Sequence, residues 1–300
     1  MSLVSVIIPA FNAAATISAT IDSVLSQTLQ DFEIIVSDDG STDSTALVVS
    51  RYRSDPRVRY LFHENRGTSH AKNLAARQAK GEYLTFLDSD DSLDRTALET
   101  MFHQFRATGA VWCVVDIVKT IGDDRILKCS QFPSSSLLLG ILEKDFVTRS
   151  PFYLRSVFLA SGMYDEDLAV REDWDINIRM IEGGRPFVYI NEPLYIYART
   201  EGSLMTGNLR RILTCTEKVL RKHHKKLADS GKTQIASIYA RNMWRLAHRY
   251  FYEARDFREA FRCVCESMRY DLSLYRLLHP IIHRIEVIIG KTWSQLSGPL

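Results

Sequence analysis

The sequence predicts an α/β fold, a mainly parallel sheet with flanking helices, followed by a C-terminal helical region. Three observations carry this. Val4–Pro9, Phe32–Ser37 and Tyr83–Leu87 are short, nearly continuous apolar runs, as expected of strands covered on both faces. Between such runs lie stretches with apolar residues at helical spacing, and strands alternating with helices make βαβ units. Beyond Gly207 the strand-like runs stop and long amphipathic stretches take over.

Taken in order, Val4-Ser5-Val6-Ile7-Ile8-Pro9 opens the sheet and a loop ends at Asn12. Ile17, Ile21, Val24 and Leu25 mark a helix reaching Gln27. After the strand Phe32–Ser37 and the loop Asp38–Asp43, Ser44 to Arg53 forms a helix capped by Asp43 or Ser44. Val58–Phe62 is a third strand, and Ser69 to Lys80 a helix ended by Gly81. Tyr83–Leu87, the helix Arg95–Thr108 and the strand Val111–Val118 follow. From Asp123 to Tyr153 the signal is weak, with a loop at Pro133-Ser134-Ser135-Ser136. Arg171–Met180 is a helix whose first-turn acids suit the helix dipole, and Phe187–Ile190 is a short strand ending before Pro193. Helices then run over Leu209–Lys226, Ile235–Tyr252 and Asp256–Tyr270. Leu274 to Ile289 carries one apolar face, kinked at Pro280. The boundary falls between a domain at 1–207 and a basic helical region at 208–300.

With 46% hydrophobic and 25% charged residues the chain is an ordinary globular protein. Ser2 to Ala10 reads as a buried strand rather than a signal sequence. No apolar run reaches the roughly 20 residues that span a bilayer. Cys113, Cys129, Cys215, Cys263 and Cys265 fit neither a zinc site nor a disulfide framework, so reduced thiols and a cytoplasmic location are expected. From Arg210 onward the chain carries 18 Lys+Arg against 8 Asp+Glu, whereas the first 209 residues carry 20 against 28. An acidic body joined to a basic tail implies two tasks. The tail shows no nucleic-acid motif, so nucleic acid is not an expected partner.

Two acidic clusters, Asp38-Asp39-Gly40-Ser41-Thr42-Asp43 and Asp88-Ser89-Asp90-Asp91, sit where buried strands end. Either alone reads as a turn. On a parallel sheet with right-handed crossovers both loops fall at the same edge and face one crevice. Carboxylates grouped there suit a hard metal ion and a phosphorylated ligand.

Val4–Asn12, Ser37–Asp43, Leu87–Asp91 and Arg171–Met180, in this order, resemble the family 2 glycosyltransferases, whose fold is the Rossmann-like GT-A fold. The resemblance covers about the first 205 residues. It implies an inverting hexosyltransferase that moves a sugar from a nucleotide-diphosphate donor, a UDP-sugar, to a hydroxyl of a glycan or lipid-linked acceptor in surface polysaccharide synthesis. Asp88-Ser89-Asp90 looks like the family's DxD motif. It implies a Mn²⁺ or Mg²⁺ held by Asp90, with Asp88 a ligand or acting through water or ribose, and Asp91 a helix cap or a group behind the ligands. Asp38 and Asp39 look like the nucleotide-recognising pair, Asp39 on the base, with Pro9, Ala10 and Phe11 lining the base pocket. Asn65–Asn73 matches the stretch beside the nucleotide, where Arg66 or Lys72 contacts base or phosphate or is a solvated helix residue. Asp173 resembles the catalytic base, Glu172 orienting it or binding acceptor. Trp174 either stacks on a sugar or belongs to the core.

One departure stands out. Many relatives carry a histidine before a Ser-Leu pair; here Tyr195–Met205 has none. Arg199 then contacts the diphosphate, or Glu201 joins the metal. For the tail two readings stay open: peripheral contact with the inner face of the cytoplasmic membrane, or packing on the catalytic body or another copy. The rival classes are a nucleotidyltransferase of similar topology and a non-catalytic nucleotide-sugar-binding scaffold. The first calls for a glycine- and lysine-rich loop after strand one, which Pro9-Ala10-Phe11-Asn12 is not; the second predicts lost site carboxylates, which are present.

Overall fold

The computed structural model describes residues 3–121, 124–134, 136–147, 149–198, 208–225, 227 and 233–270. The chain divides into two compact units, Met1–Val219 and Leu220–Leu300.

In the first unit β1 (Val4–Ala10), β2 (Phe32–Asp39), β3 (Val58–His63) and β4 (Tyr83–Phe86) run parallel in the order β3-β2-β1-β4. Every residue of β1, β2 and β4 is buried, which explains their apolar runs without alternation. Successive side chains enter opposite cores. Val4, Val6 and Ile8 join Ile17, Ile21 and Val24 of helix α1 (Ile17–Leu25) on one face. Ile7 and Ile35 meet Ala75 and Ala76 of α3 (Thr68–Gln78) on the other. Between them α2 (Thr45–Ser50) completes a crossover; its first N–H is taken by Asp43 Oδ1 at 2.9 Å, so Asp43 does the capping. Helix α4 (Ala97–Thr108) ends at Gly109 in the left-handed conformation, φ 69°.

Beyond β4 the sheet continues through the strand expected at Val111–Val118 and through others that the sequence signals poorly. β8 (Phe152–Leu154) inserts antiparallel between β4 and β6 (Trp112–Ile121). β7 (Asp124–Lys128) pairs with β6, and α5 (Leu137–Glu143) follows it. After α6 (Arg155–Ala160) and α7 (Glu172–Glu182), β9 (Phe187–Ala198) runs parallel to β6, and β5 (Ser92–Leu93) pairs antiparallel with β9. The strand expected to stop before Pro193 therefore continues to Ala198. Pairing passes from Val115↔Ile190 to Ile117↔Tyr195, and the residues between, Pro193 among them, bulge out of the ladder. A proline inside a bulge removes no ladder hydrogen bond, which is why it did not end the strand.

α8 (Leu209–Val219) closes the first unit. In the second, a π-helical turn (Leu220–Lys225) precedes the packed pair α9 (Thr233–Tyr252) and α10 (Phe257–Tyr270). Buried Glu266 of α10 accepts from the Arg221 guanidinium at 2.6 Å and the Tyr239 hydroxyl at 2.6 Å. Among the described residues no helix is long and apolar enough to cross a membrane. The apolar face at Leu274–Ile289, with Pro280, lies outside the described residues.

Candidate functional site

The carboxyl edge of β1, β2 and β4 carries three loops, of which the first two hold each other in place. Asn12, with φ 50°, turns its side-chain oxygen onto the Thr42 N–H at 2.8 Å, while its own N–H donates to Ser41 Oγ at 2.9 Å. Ala13 N–H donates to Thr45 Oγ1 at 2.8 Å and Ala14 N–H to Asp43 Oδ2 at 3.1 Å. Pro9 and Ala10 are buried at the end of β1, and Phe11 is left 53% exposed at the crevice edge.

The two aspartates ending β2 differ in what they hold. Asp38, buried, accepts the Ser41 N–H at 2.7 Å and the Tyr60 hydroxyl at 2.5 Å, and so shapes its own loop. Asp39 reaches across to the loop before α3, accepting the Arg66 N–H at 2.7 Å and the Gly67 N–H at 2.8 Å. Gly40 permits this approach: its φ is 77°, and a Cβ there would stand 2.9 Å from the Asn65 backbone nitrogen. The Arg66 side chain is 63% exposed and turns toward Glu166 at 3.9 Å.

The acidic loop after β4 meets the start of α7 through two cations. Arg149 donates Nη2 to Asp88 Oδ2 at 2.7 Å and Nη1 to Asp173 Oδ2 at 3.1 Å. Lys72 of α3 places Nζ 3.0 Å from Glu172 Oε1 and 3.4 Å from Asp88 Oδ1, over the Tyr164 ring. Three carboxylates thus share two cations. Burial alone would raise the Asp88 carboxyl, but Arg149 and then Lys72 outweigh it and hold it well below the usual carboxylate range. Burial would likewise lower Lys72; Asp88 and Glu172 reverse the sign and keep it charged. The residue before α7, Arg171, sits in the left-handed region at φ 74°, a strained entry that sets Glu172 and Asp173 in the first helical turn.

Behind this layer Tyr195 of β9 uses its hydroxyl fully. It donates to Asp91 Oδ2 at 2.7 Å and accepts from Arg149 Nη2 at 2.9 Å and the Asp88 N–H at 3.2 Å. Asp91 also accepts the Ala198 N–H at 3.0 Å, and burial, reinforced by the charge of Asp88, pushes its carboxyl up to about 7. Asp91 is therefore not a helix cap, since Thr96 occupies that place before α4; it ties the loop to β9 from the core side. Ser89 accepts at its carbonyl from Thr20 Oγ1 at 3.0 Å, and Asp90 is partly exposed.

Trp174 belongs to the core: it is 6% exposed and its indole N–H donates to the Ile141 carbonyl at 2.9 Å. Arg199 and Glu201 lie outside the described residues. Arg149 and Tyr195 are the residues that sequence reasoning missed. The only local hint of the first is a single charge beside the buried run Phe152-Tyr153-Leu154.

No group of three or more His, Cys, Asp or Glu side chains able to hold an ion occurs among the described residues. Both oxygens of Asp88 already face cations, which makes Asp90, partly exposed on the same loop, the carboxylate of the motif that would meet a hard cation. Mg²⁺ and similar ions are commonly held this way, by one or two carboxylates plus substrate phosphates. The residues therefore fit an ion shared with a diphosphate ligand rather than a protein cage.

The chain is 33% identical over 199 residues to a chondroitin synthase of Pasteurella multocida (strain Pm70), a match covering 64% of this chain and 20% of that protein's length. It is 28% identical over 253 residues to glycosyltransferase GlyG of Streptococcus pneumoniae serotype 4, covering 76% of this chain and 80% of that one. Among solved structures, S. aureus TarS 1-349 in complex with UDP-GlcNAc matches with a TM-score of 0.71 at 21% identity, over 95% of this chain and 87% of that one. Mannosyltransferase PcManGT from Pyrobaculum calidifontis, in complex with GDP-Man and Mn2+, matches with a TM-score of 0.57 at 19% identity, over 97% and 83%. These establish the GT-A fold. Residues 5–157 match the family described as Glycosyl transferase family 2, and the chain belongs to that family.

Proposed function

We propose that the chain transfers a sugar, with inversion, from a UDP-sugar to a hydroxyl of a glycan or lipid-linked acceptor in polysaccharide synthesis. The observation that carries this is the Arg149 bridge. It brings Asp88, on the donor-side loop, and Asp173, at the start of α7, onto one guanidinium at the open edge of the parallel strands. The match to chondroitin and hyaluronan synthases supports the polysaccharide reading, and the UDP-GlcNAc bound in the TarS structure supports the uridine base.

In this reading Asp39 accepts from the base and Pro9, Ala10 and Phe11 flank it. Asp38 shapes the loop beneath, and Ser89 and Asp88 lie along the ribose and diphosphate. Lys72 supplies positive charge beside the leaving diphosphate, as would Arg66 and Arg199, while Arg149 orients Asp173. Asp173 takes the proton from the acceptor hydroxyl as that oxygen attacks the anomeric carbon, from the face opposite the diphosphate. Glu172, clamped by Lys72 at 3.0 Å, keeps the first turn of α7 in register with the acidic loop. A Mn²⁺ or Mg²⁺ on Asp90, when bound, would neutralise charge on the departing diphosphate.

Thermal unfolding with UDP or GDP, each with and without MnCl₂, tests the donor assignment. UDP with Mn²⁺ is expected to stabilise most, by about 2.7 kcal/mol at a hundredfold excess over Kd. Stabilisation by neither diphosphate sinks the reading. Asp173→Asn is expected to keep the UDP effect and lose transfer by about 10²–10⁴-fold. Loss of UDP stabilisation in that variant reassigns Asp173 to structure.

A further inference from the structure

Beside the carboxylate site lies an open cavity of about 400 Å³ that none of the steps above uses. One wall is the stretch after β7, with Gln131 and Pro133; the other is the end of α5 and the segment beyond it, with Glu143, Asp145, Phe146 and Val147. We propose that this cavity is the acceptor site, taking a saccharide unit whose free hydroxyl is presented to Asp173. The inference rests on the transferase reading.

Place comes first. Val147 lines the cavity, and Arg149, two residues on, donates to Asp173 at 3.1 Å. Two residues can span at most about 7 Å of chain, close to the width of a sugar ring. The cavity wall and the base are also tied together. Trp174, next to Asp173, donates to the Ile141 carbonyl of α5 at 2.9 Å, so α5 and α7 position each other. A Cβ on Gly140 would collide with the Pro133 ring, so the two walls are in close contact there.

The lining chemistry favours a saccharide. Glu143, Asp145 and Gln131 offer hydroxyl acceptors, and the Gln131 amide also donates. Phe146, packed on Phe132 with ring centroids 5.2 Å apart, and Pro133 present apolar surface to the C–H face of a ring. Glu143 and Asp145, set against Lys144 and the nearby Arg171, leave no surplus of positive charge for a second diphosphate here. The volume lies within the range of about 300–1,000 Å³ usual for small-ligand pockets. Burial pushes the Asp145 carboxyl up to about 7, Arg171 pulling it down and Asp173 adding to the rise. Asp145 thus feels the charge of the candidate base.

The test is saturation-transfer NMR on the full chain with UDP present. The probes are p-nitrophenyl β-glycosides of N-acetylglucosamine, galactose and glucuronic acid. At least one glycoside should receive saturation from the wild type. Phe146→Ala and Gln131→Ala should each weaken it about tenfold, the loss expected for one well-made contact. The UDP-induced rise in unfolding midpoint should be unchanged in both. Gln131 is exposed, so its truncation leaves the core intact should Phe146→Ala fold poorly. Absence of saturation of all three glycosides by the wild type overturns the assignment. So does equal saturation in wild type and variants, or loss of UDP stabilisation in the Gln131 variant. If the wild type responds to neither UDP nor GDP, the transferase reading fails, while glycoside binding still decides whether the cavity takes sugar.

Discussion

Arg149→Met removes the guanidinium that joins Asp88 to Asp173 while keeping an apolar stem over the Tyr195 ring, where the guanidinium carbon now sits 4.5 Å from the centroid. Deleting one partner of a buried ion pair costs about 3–5 kcal/mol. Here the Asp88 and Asp173 side chains each keep 30% exposure, so water recovers part of their solvation. Discounting for that exposure leaves about 2–3 kcal/mol. For a unit of this size each kcal/mol moves the melting midpoint by about 2–4 °C, so a fall of about 5–10 °C is expected by circular dichroism in the absence of donor. Arg149→Lys reaches one carboxylate but cannot fork to both, and should fall between the two. In turnover assays the Met variant should lose kcat with little change in donor KM, because the guanidinium orients the base. A midpoint within 2 °C of wild type would show that the bridge is no net stabiliser (about 1 kcal/mol or less). A raised KM at unchanged kcat would make Arg149 a donor ligand instead.

Three further outcomes are expected from the same geometry. Asp39→Asn leaves one carbonyl for the two N–H groups of Arg66 and Gly67 and turns an amide N–H toward the other; a loss of about 1–3 kcal/mol and weaker UDP stabilisation are expected, and an unchanged melt would refute the role. Asp90→Asn should abolish the Mn²⁺-dependent part of UDP stabilisation and leave the metal-free part intact; a retained Mn²⁺ effect would move the ion elsewhere. Asp145, raised to about 7 from a usual value of 3.8, binds more protons folded than unfolded between those limits. Its contribution is therefore present below about pH 4 and lost as pH rises toward about 7. Melting of Asp145→Asn across that window should decline less than wild type, and parallel curves would contradict the shift.

The parallel half of the sheet was legible because β1, β2 and β4 are buried throughout and read as unbroken apolar runs. β8, three residues long and antiparallel, offers no period to read, and the bulge at Pro193 disguises the length of β9. The carboxylates were legible for a different reason: Asp after a buried strand is unusual enough to notice in pairs. Their counter-ions were not. Lys72 meets Glu172 across 100 residues and Arg149 meets Asp88 across 61, and neither spacing leaves a local trace. From the sequence Lys72 reads either as a contact to base or phosphate or as a solvated residue of the helix Thr68–Gln78; it is 1% exposed. Charge pairing across the sheet edge, not helix propensity, keeps it there.

The acidic loop after β4 works because its aspartates face different media. Asp88 points into the crevice and is held charged by two cations, whereas Asp91 points into the core, where a carboxyl raised to about 7 can remain only with donors on both oxygens. Tyr195 and the Ala198 N–H provide those donors, at 2.7 and 3.0 Å. The Tyr195 hydroxyl then has two lone pairs left, and both are spent on the site side, on Arg149 and on the Asp88 backbone. One phenol therefore sets the guanidinium against the loop. The loop's position depends on β9 reaching Ala198, beyond the bulge: a strand ending at Ile190 would leave Asp91 without partners and Arg149 without its ring. The bulged strand is thus the support from which the charged layer is hung, and Tyr195→Phe should disturb Arg149 and Asp91 together.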